Sequence, residues 1–172
     1  MSGATKERSE LAGSSESSPT RRSRPSEVSR DPASIDHGVT HVALGVSNLD
    51  ASLEFYERFA AMQVVHRRTD HETGNSVAWI SDLTRPFVVV LIETAKVDAH
   101  LGGTFGHIGV GVETREAVDR LLTQARREGR GVFGPLDSGP PVGYWGYIVD
   151  PDGHNLELSY GQEVGFTVEG FA

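Results

Sequence analysis

Three side chains on strand-like segments of this 172-residue sequence could bind one metal ion together: two histidines and a glutamate. His41 and His107 each precede a run of alternating apolar and small residues, and Glu157 lies between Leu156 and Leu158. Because successive side chains of a strand point to opposite faces, the glutamate points away from the two leucines. If the leucines pack on a helix, the carboxylate meets two neutral imidazoles on a concave surface. Such a facial triad binds a divalent metal ion and leaves positions open for water or substrate.

Each of the three residues also has an ordinary structural interpretation. A strand histidine is more often hydrogen bonded than bound to a metal, and Glu157 could be a charge that protects an edge strand from aggregation. His107 follows His41 by 66 residues, and the two stand at equivalent positions of similar segments. This equivalence favours the metal hypothesis. The carboxylate gives a second reason, because an unpaired carboxylate in an apolar cleft would be strongly destabilising.

Two similar halves of the chain must position these residues. In each half a histidine strand is followed by a helix-like segment and then by three short strand candidates that turn residues separate. Asn48 or Asp50 is expected to cap the first helix, while Thr114 caps the second and Gly129 ends it. The sequence predicts strands at 40–46, 63–68, 76–81, 87–93, 106–112, 131–133, 143–149 and 155–160, with helices at about 50–61 and 114–128.

The predicted fold is α+β, with two tandem βαβββ modules, at about 39–95 and 105–161, that form a cupped half-barrel. One face of each sheet packs on its helix, and the other faces a shared cleft that can hold a ligand. Residues 1–38 are rich in serine and arginine and contain no aromatic residue, so they are predicted to be a disordered tail. Residues 162–172 form a C-terminal extension.

Composition limits the classes of partner. The formal net charge of -8 falls on residues 39–172, because the charges of the tail cancel, and an acidic body argues against binding to nucleic acid. The absence of cysteine excludes a disulfide framework and a cysteine-built zinc site. The longest apolar run, at 87–92, is too short to span a membrane, and the N-terminus lacks the apolar core of a secretory signal. We therefore expect a cytoplasmic protein with a small-molecule substrate.

The motifs resemble those of the vicinal oxygen chelate superfamily, which includes glyoxalase I, methylmalonyl-CoA epimerase, fosfomycin and bleomycin resistance proteins, and extradiol dioxygenases. The resemblance covers about residues 39–161 and rests on the two histidine strands, on Glu54-Phe-Tyr-Glu57, and on Asp150-Pro-Asp-Gly-His-Asn-Leu-Glu157. It implies paired βαβββ modules around a metal-binding cup. It also implies that His41, His107 and Glu157 are the metal ligands.

A fourth ligand is left open by the sequence. Many glyoxalases and epimerases of this superfamily use a Glu or Gln from the last strand of the first module, where only Glu93 could serve. Matching that strand to the glyoxalase pattern places Val90 or Ile92 at the ligand position, whereas the repeat offset places Leu91 there. If Glu93 faces away, the resemblance implies a His-His-Glu triad, as in the dioxygenase and fosfomycin-resistance branches.

Tyr147 is the candidate for contact with substrate. The pattern Tyr-x-x-Asp-Pro-x-Gly-x-x-x-Glu that ends at Glu157 is similar to the extradiol dioxygenase signature, in which the tyrosine contacts substrate. The histidine that precedes the tyrosine in that signature is missing, since 138–143 reads Ser-Gly-Pro-Pro-Val-Gly. The upstream acid–base histidine of those enzymes has no strand counterpart either, because the nearest histidine, His100, is predicted to lie on a loop.

The resulting expectation is a metalloenzyme that chelates two neighbouring oxygens of a small molecule on a divalent ion, by glyoxalase-like or dioxygenase-like chemistry. The ligand types suit Fe, Mn, Ni, Co and Zn alike. The alternative is a metal-free protein that sequesters a drug or metabolite, as bleomycin resistance proteins do, in an aromatic-lined groove. A homodimer is expected, with the cup inside one chain or between two. Solvated positions are predicted for His66, His71 and His154. Either an apolar pocket over the metal or the core is predicted for Trp79, Phe87, Phe133 and Trp145.

Overall fold

The structure of the protein is a computed structural model that describes residues 38–97 and 106–169. The tail predicted for residues 1–38 lies outside the described residues apart from Gly38. His100, which was predicted to lie on a loop, also lies outside them. No helix within the two described ranges is long and apolar enough to cross a membrane.

Two modules of the same element order form the body of the protein. Each contains one strand, one helix and three further strands, which confirms the predicted α+β fold of two βαβββ modules. A short helix that the sequence did not predict follows the second module. The first module contains β1 (His41–Val46), α1 (Leu49–Ala60), β2 (Gln63–Thr69), β3 (Ser76–Ser81) and β4 (Val88–Glu93); the second contains β5 (His107–Gly111), α2 (Arg115–Arg127), β6 (Val132–Asp137), β7 (Tyr144–Val149) and β8 (Asn155–Tyr160); the last helix is α3 (Val164–Glu169).

Helices α1 and α2 each begin where a side chain accepts a hydrogen bond from the first turn. The Asn48 side chain accepts from the backbone N–H of Ala51 at 2.9 Å, so Asn48 rather than Asp50 caps α1. Thr114 accepts from the N–H of Ala117 at 3.1 Å and caps α2 as predicted. The buried stripes of the two helices, which include Phe55, Tyr56 and Phe59 on α1 and Val118, Leu122 and Ala125 on α2, belong to one hydrophobic core.

Each module forms its own four-stranded sheet, in which the histidine strand is an edge and pairs in parallel with the last strand. The sheet orders are β1-β4-β3-β2 and β5-β8-β7-β6. Leu44, Leu91, Leu156 and Leu158 lie in the buried core, so one face of each sheet packs on the helices. Because side chains alternate along a strand, the residues between them point to the opposite face. We call this opposite face the open face of each sheet.

The Asp-Pro-Asp-Gly turn between β7 and β8 joins the two modules. Oδ1 of Asp150 accepts from the backbone N–H groups of Asp152 and His154, and Oδ2 accepts from the Tyr56 hydroxyl on α1 at 3.0 Å. Burial and the neighbouring charge of Asp150 raise the pKa of Tyr56 well above its usual range, so this phenol keeps its proton. A carboxylate of the second module is therefore fixed by a buried side chain of the first.

His154 corrects one expectation from the sequence. It was predicted to be solvated, but it is only 5% exposed, and its Nε2 lies 2.8 Å from the backbone oxygen of Gly45 on β1. The turn folds against the first module, where Ser47 N–H also donates to Oδ1 of Asp152 at 3.0 Å. His66 and His71 are exposed, as predicted.

Candidate functional site

His107 and Glu157 come together on the open face of the second sheet. Glu157 pairs with Gly109, two residues after His107 on the same face of the neighbouring strand β5. Nε2 of His107 lies 3.4 Å from Oε2 of Glu157, and the Glu157 side chain is only 7% exposed. A Cβ at Gly109 would stand 4.0 Å from Oε1 of Glu157, an ordinary contact distance, so this glycine lies directly beside the carboxylate. The structure thus brings together two of the three ligands that the sequence predicted.

The separation of these two atoms suits two ligands of one metal ion. Two donor atoms that each lie about 2.1 Å from an ion, at a tetrahedral angle, are about 3.4 Å apart. An imidazole nitrogen and a carboxylate oxygen are donors that first-row divalent ions accept. The residues present therefore fit a divalent metal ion in both chemistry and spacing.

Tyr147 lies beside this pair on the adjacent strand β7, directly opposite Glu157. Its hydroxyl oxygen lies 3.5 Å from Nδ1 of His107, and the two ring centres are 5.2 Å apart. Burial, and then the negative charge of Glu157, raises the pKa of the Tyr147 phenol. The phenol therefore stays protonated at neutral pH and can donate a hydrogen bond toward a ligand on this face.

An aromatic surface extends from Tyr147 across the second sheet. The ring of Trp145 lies 5.0 Å from that of Tyr147, and Phe133 stacks on Tyr147 at 6.2 Å between ring centres. Phe133 is 55% exposed, so this cluster is not part of the core. The three aromatic side chains form an apolar wall next to the polar pair.

A cavity of about 240 Å³ lies between β5 and the segment that joins β3 to β4. Phe87, Arg85 and Asp82 are among the residues that line it from the first module, and residues 108–111 of β5 line it from the second. Phe87 also packs against the hydrophobic core, so of its two sequence-based interpretations the core is the one that fits. Neither His107 nor Glu157 lines this cavity.

His41 does not join His107 and Glu157 within one chain. It is exposed at the start of β1, opposite Val88, and its Nδ1 lies 3.1 Å from Oγ1 of Thr40. Within residues 38–97 and 106–169, no three His, Asp or Glu side chains lie close enough to hold one ion. The expected meeting of both histidines over one cleft is therefore absent from the described part of a single chain, and the role of His41 as a ligand stays a prediction.

The register of the first sheet settles the position that corresponds to Glu157. Ala43 stands two residues after His41 and pairs with Val90, just as Gly109 pairs with Glu157. Val90 is thus the counterpart of the glutamate, and the alternative at Leu91 is wrong. Oε1 of Glu93 accepts from the N–H of Leu49, the first residue of α1, at 3.3 Å. The Glu93 carboxylate therefore hydrogen bonds to the first residue of α1. The first module has a valine, and no carboxylate, at the position that corresponds to Glu157.

Gln162 is a residue of the site that the sequence did not reveal. Its Nε2 donates to Oε1 of Glu157 at 2.7 Å, so each oxygen of this carboxylate has its own neighbour. Gln162 follows Gly161, whose φ of 77° turns the chain after β8. A glycine and a glutamine after a strand are too common to predict such a contact.

Comparison with known proteins gives consistent matches over this region. The sequence profile described as the Glyoxalase/Bleomycin resistance protein/Dioxygenase superfamily matches residues 38–158. An uncharacterized protein of Pseudomonas aeruginosa is 36% identical over 129 residues, which are 74% of this chain and 91% of that protein. A lactoylglutathione lyase of Neisseria meningitidis is 32% identical over 125 residues, 69% of this chain and 86% of that enzyme.

A solved structure shares the fold. A point mutant of the fosfomycin resistance protein FosX from Listeria monocytogenes, in complex with Mn(II) and dihydroxypropylphosphonic acid, superposes with a TM-score of 0.59. Its sequence identity is 18%, and the match covers 78% of this chain and 99% of that one.

Proposed function

This chain belongs to the glyoxalase/bleomycin resistance protein/dioxygenase superfamily, and from that premise we propose that it is a divalent-metal-dependent enzyme. Its substrate is a small molecule with two neighbouring oxygens. The observation that carries this proposal is the pair formed by His107 Nε2 and Glu157 Oε2, 3.4 Å apart on an open, aromatic-lined face. That Mn(II) is bound by a protein of the same fold supports a divalent ion as the cofactor.

The third ligand in this proposal is His41 of a second copy of the chain. Two protein ligands leave the site incomplete, and no third one reaches it within the described part of one chain. Both open faces carry exposed aromatic side chains, Trp79 at 40% exposed on the first sheet and Phe133 at 55% on the second. A twofold dimer that places the first sheet of one copy over the second sheet of the other covers both faces and forms two equivalent sites.

The metal, when bound, supplies Lewis acidity toward the two substrate oxygens. The protein residues hold and orient the substrate around it. Tyr147 donates a hydrogen bond to a substrate oxygen, because its raised pKa keeps the phenol protonated. Trp145 and Phe133 cover the apolar part of the substrate and exclude water from the polar pair. The dimer and a cytoplasmic location are parts of the same proposal.

The chemistry of the site favours a three-ligand set. Val90 stands where a fourth ligand of the glyoxalase kind would be, and Glu93 is turned to α1. A relative that is 32% identical is nevertheless a lactoylglutathione lyase. We therefore propose to assay two reactions, hemithioacetal isomerisation and oxygen-dependent cleavage of a catechol. Each is to be assayed with each divalent ion in turn.

A second candidate is sequestration of an aromatic or apolar compound without turnover. The exposed cluster of Phe133, Trp145 and Tyr147 favours it, because such a surface binds flat apolar molecules. This candidate requires no metal. It does not explain why His107 and Glu157 lie close together.

Metal analysis of the purified protein, together with His107→Ala, separates the two candidates. The enzyme proposal expects one divalent ion per chain in the wild type, and affinity more than about 100-fold weaker in the variant, since loss of a ligand exceeds the cost of losing an outer partner. His71→Ala is the matched control, because His71 is exposed in the turn before β3. A wild type that binds no divalent ion, or a variant that binds as tightly, contradicts the enzyme proposal.

A further inference from the structure

We propose that Gln162 is a positioning residue for the metal site: it holds one oxygen of Glu157 so that the other oxygen faces His107. This inference rests on the proposed function, because it assigns Gln162 a role toward a metal ion. Gln162 lies beyond residues 38–158, the range over which the chain matches its superfamily. The superfamily profile therefore does not reach Gln162 itself.

The hydrogen bond itself is short and has a charged acceptor. Gln162 Nε2 lies 2.7 Å from Oε1 of Glu157, whereas Oε2 is the oxygen 3.4 Å from His107 Nε2. The terminal torsion of a glutamate is broad, so a free carboxylate samples many orientations about its axis. A donor to one oxygen selects one orientation, and a bond to a charged acceptor is about twice as strong as a neutral one. Gln162 thus orients the ligand before any ion arrives.

The backbone fixes the position of Gln162 on both sides. Gly161 adopts a left-handed φ of 77°, which turns the chain at the end of β8. On the other side, the N–H of Glu163 donates to the backbone oxygen of Pro141 at 2.9 Å. These two features constrain the backbone on either side of Gln162, whose own side chain is exposed and contacts the part-buried Glu157.

Gly143 shows how closely the chain after β8 approaches the loop between β6 and β7. A Cβ at Gly143 would stand 2.3 Å from the backbone oxygen of Tyr160 and 2.9 Å from the carbonyl carbon of Gly161. Only glycine allows this approach, and its φ of 84° also favours glycine. The loop and the extension are therefore packed against each other at the residue that precedes Gln162.

The test compares Gln162→Leu with Gln124→Leu. Gln124 Nε2 donates in the same way to Oε1 of Glu128 at 3.1 Å, on the exposed surface of α2 and away from the site. Calorimetric titration of each metal-free protein with Mn(II) and with Co(II) measures affinity. We expect Gln162→Leu to bind about 10- to 100-fold more weakly, the usual cost of an outer-shell partner, and Gln124→Leu to match the wild type.

Two further readouts exclude a merely structural effect. The thermal midpoint of metal-free Gln162→Leu should stay within a few degrees of the wild type, whereas the visible absorption spectrum of bound Co(II) should change because the carboxylate orientation is altered. Gln162→Asn keeps the amide but loses one methylene of reach, so it should behave like the leucine variant. If Gln162→Leu or Gln162→Asn binds as tightly as the wild type with an unchanged spectrum, the positioning role is wrong. If the wild type itself binds none of the divalent ions of Fe, Mn, Ni, Co and Zn, the proposed function fails and this role fails with it.

Discussion

The two modules place different side chains on the same backbone positions. The first has His41, Val90 and Trp79 where the second has His107, Glu157 and Tyr147, since Trp79 pairs with Val90 as Tyr147 pairs with Glu157. The duplicated scaffold therefore presents a histidine twice but a carboxylate and a phenol only once. One sheet can hold an ion and the other offers a histidine and an apolar surface, so the proposed site needs one sheet of each kind.

The largest effect is expected when Glu157 of the second module is replaced by valine, the residue at the equivalent position of the first module. Glu157→Val should weaken affinity for Mn(II) by more than about 100-fold, because the carboxylate is one of the two clustered ligands of the proposed site. Equilibrium dialysis with metal analysis measures the change. Leu158 stays in place, so the core face of β8 is unchanged, and far-UV circular dichroism of the variant should match that of the wild type. Retention of wild-type affinity would mean that the ion binds elsewhere.

The contact between the modules can be tested through two tyrosine–aspartate pairs. Asp150→Ala removes the buried acceptor of Tyr56 and leaves backbone N–H groups unpaired, so it should lower the free energy of unfolding by about 3 kcal/mol. Asp119→Ala removes the exposed acceptor of Tyr144, a bond of 2.7 Å, and should cost less than about 1 kcal/mol.

Urea unfolding followed by circular dichroism measures both values. Equal losses in the two variants would show that the turn between β7 and β8 does not join the modules in the way described.

Replacing Tyr147 by phenylalanine tests the proposed hydrogen bond from its hydroxyl to the substrate. Tyr147→Phe should lower kcat about 10-fold on whichever substrate is identified, with metal affinity unchanged, because in the proposed site the hydroxyl donates to substrate and other residues hold the ion. Tyr144→Phe is the control on the same strand, where the hydroxyl bonds to Asp119 instead. A loss of metal from Tyr147→Phe, or no change in kcat, contradicts the assigned role.

The smallest expected effect comes from making the first module resemble the second. Val90→Glu adds a carboxylate at the register position of Glu157, on the face of β4 that His41 shares. In the proposed dimer this carboxylate reaches the site and should raise affinity for Mn(II) a few-fold, as a fourth protein ligand. Leu91→Glu, one residue along the same strand, points into the core and should instead destabilise the fold. No gain in affinity from a folded Val90→Glu protein would place the first module away from the site.

Patterns that repeat along the chain could be predicted from the sequence. Alternation in β8 predicted that Glu157 points away from Leu156 and Leu158, and those leucines are buried. Side-chain oxygens at Asn48 and Thr114 predicted where the helices begin. These features depend on local chemistry, and so the local sequence reveals them.

Contacts between distant segments could not be predicted in the same way. The burial of His154 depends on the Gly45 oxygen in the other module, and the Gln162 contact depends on where the chain turns after β8. The strand β6 is longer than predicted, since Gly134 and Pro135 resemble strand breakers although pairing resumes at Leu136 after an irregularity. The equivalence of Val90 and Glu157 could not be predicted either, because it was assigned from the strand pairing that the structure shows.

The central claim is that one metal site is shared between two copies of the chain. It is tested most directly by mixing two variants that each lack one proposed metal ligand. His41→Ala and Glu157→Val should each bind no Mn(II) at concentrations that saturate the wild type. If one site combines His107 and Glu157 of one copy with His41 of another, an equal mixture that is allowed to exchange partners contains one intact site in each mixed dimer, and about a quarter of wild-type binding returns. Equilibrium dialysis of the mixture should show this fraction. A mixture that binds no more than its two components contradicts a site shared between copies.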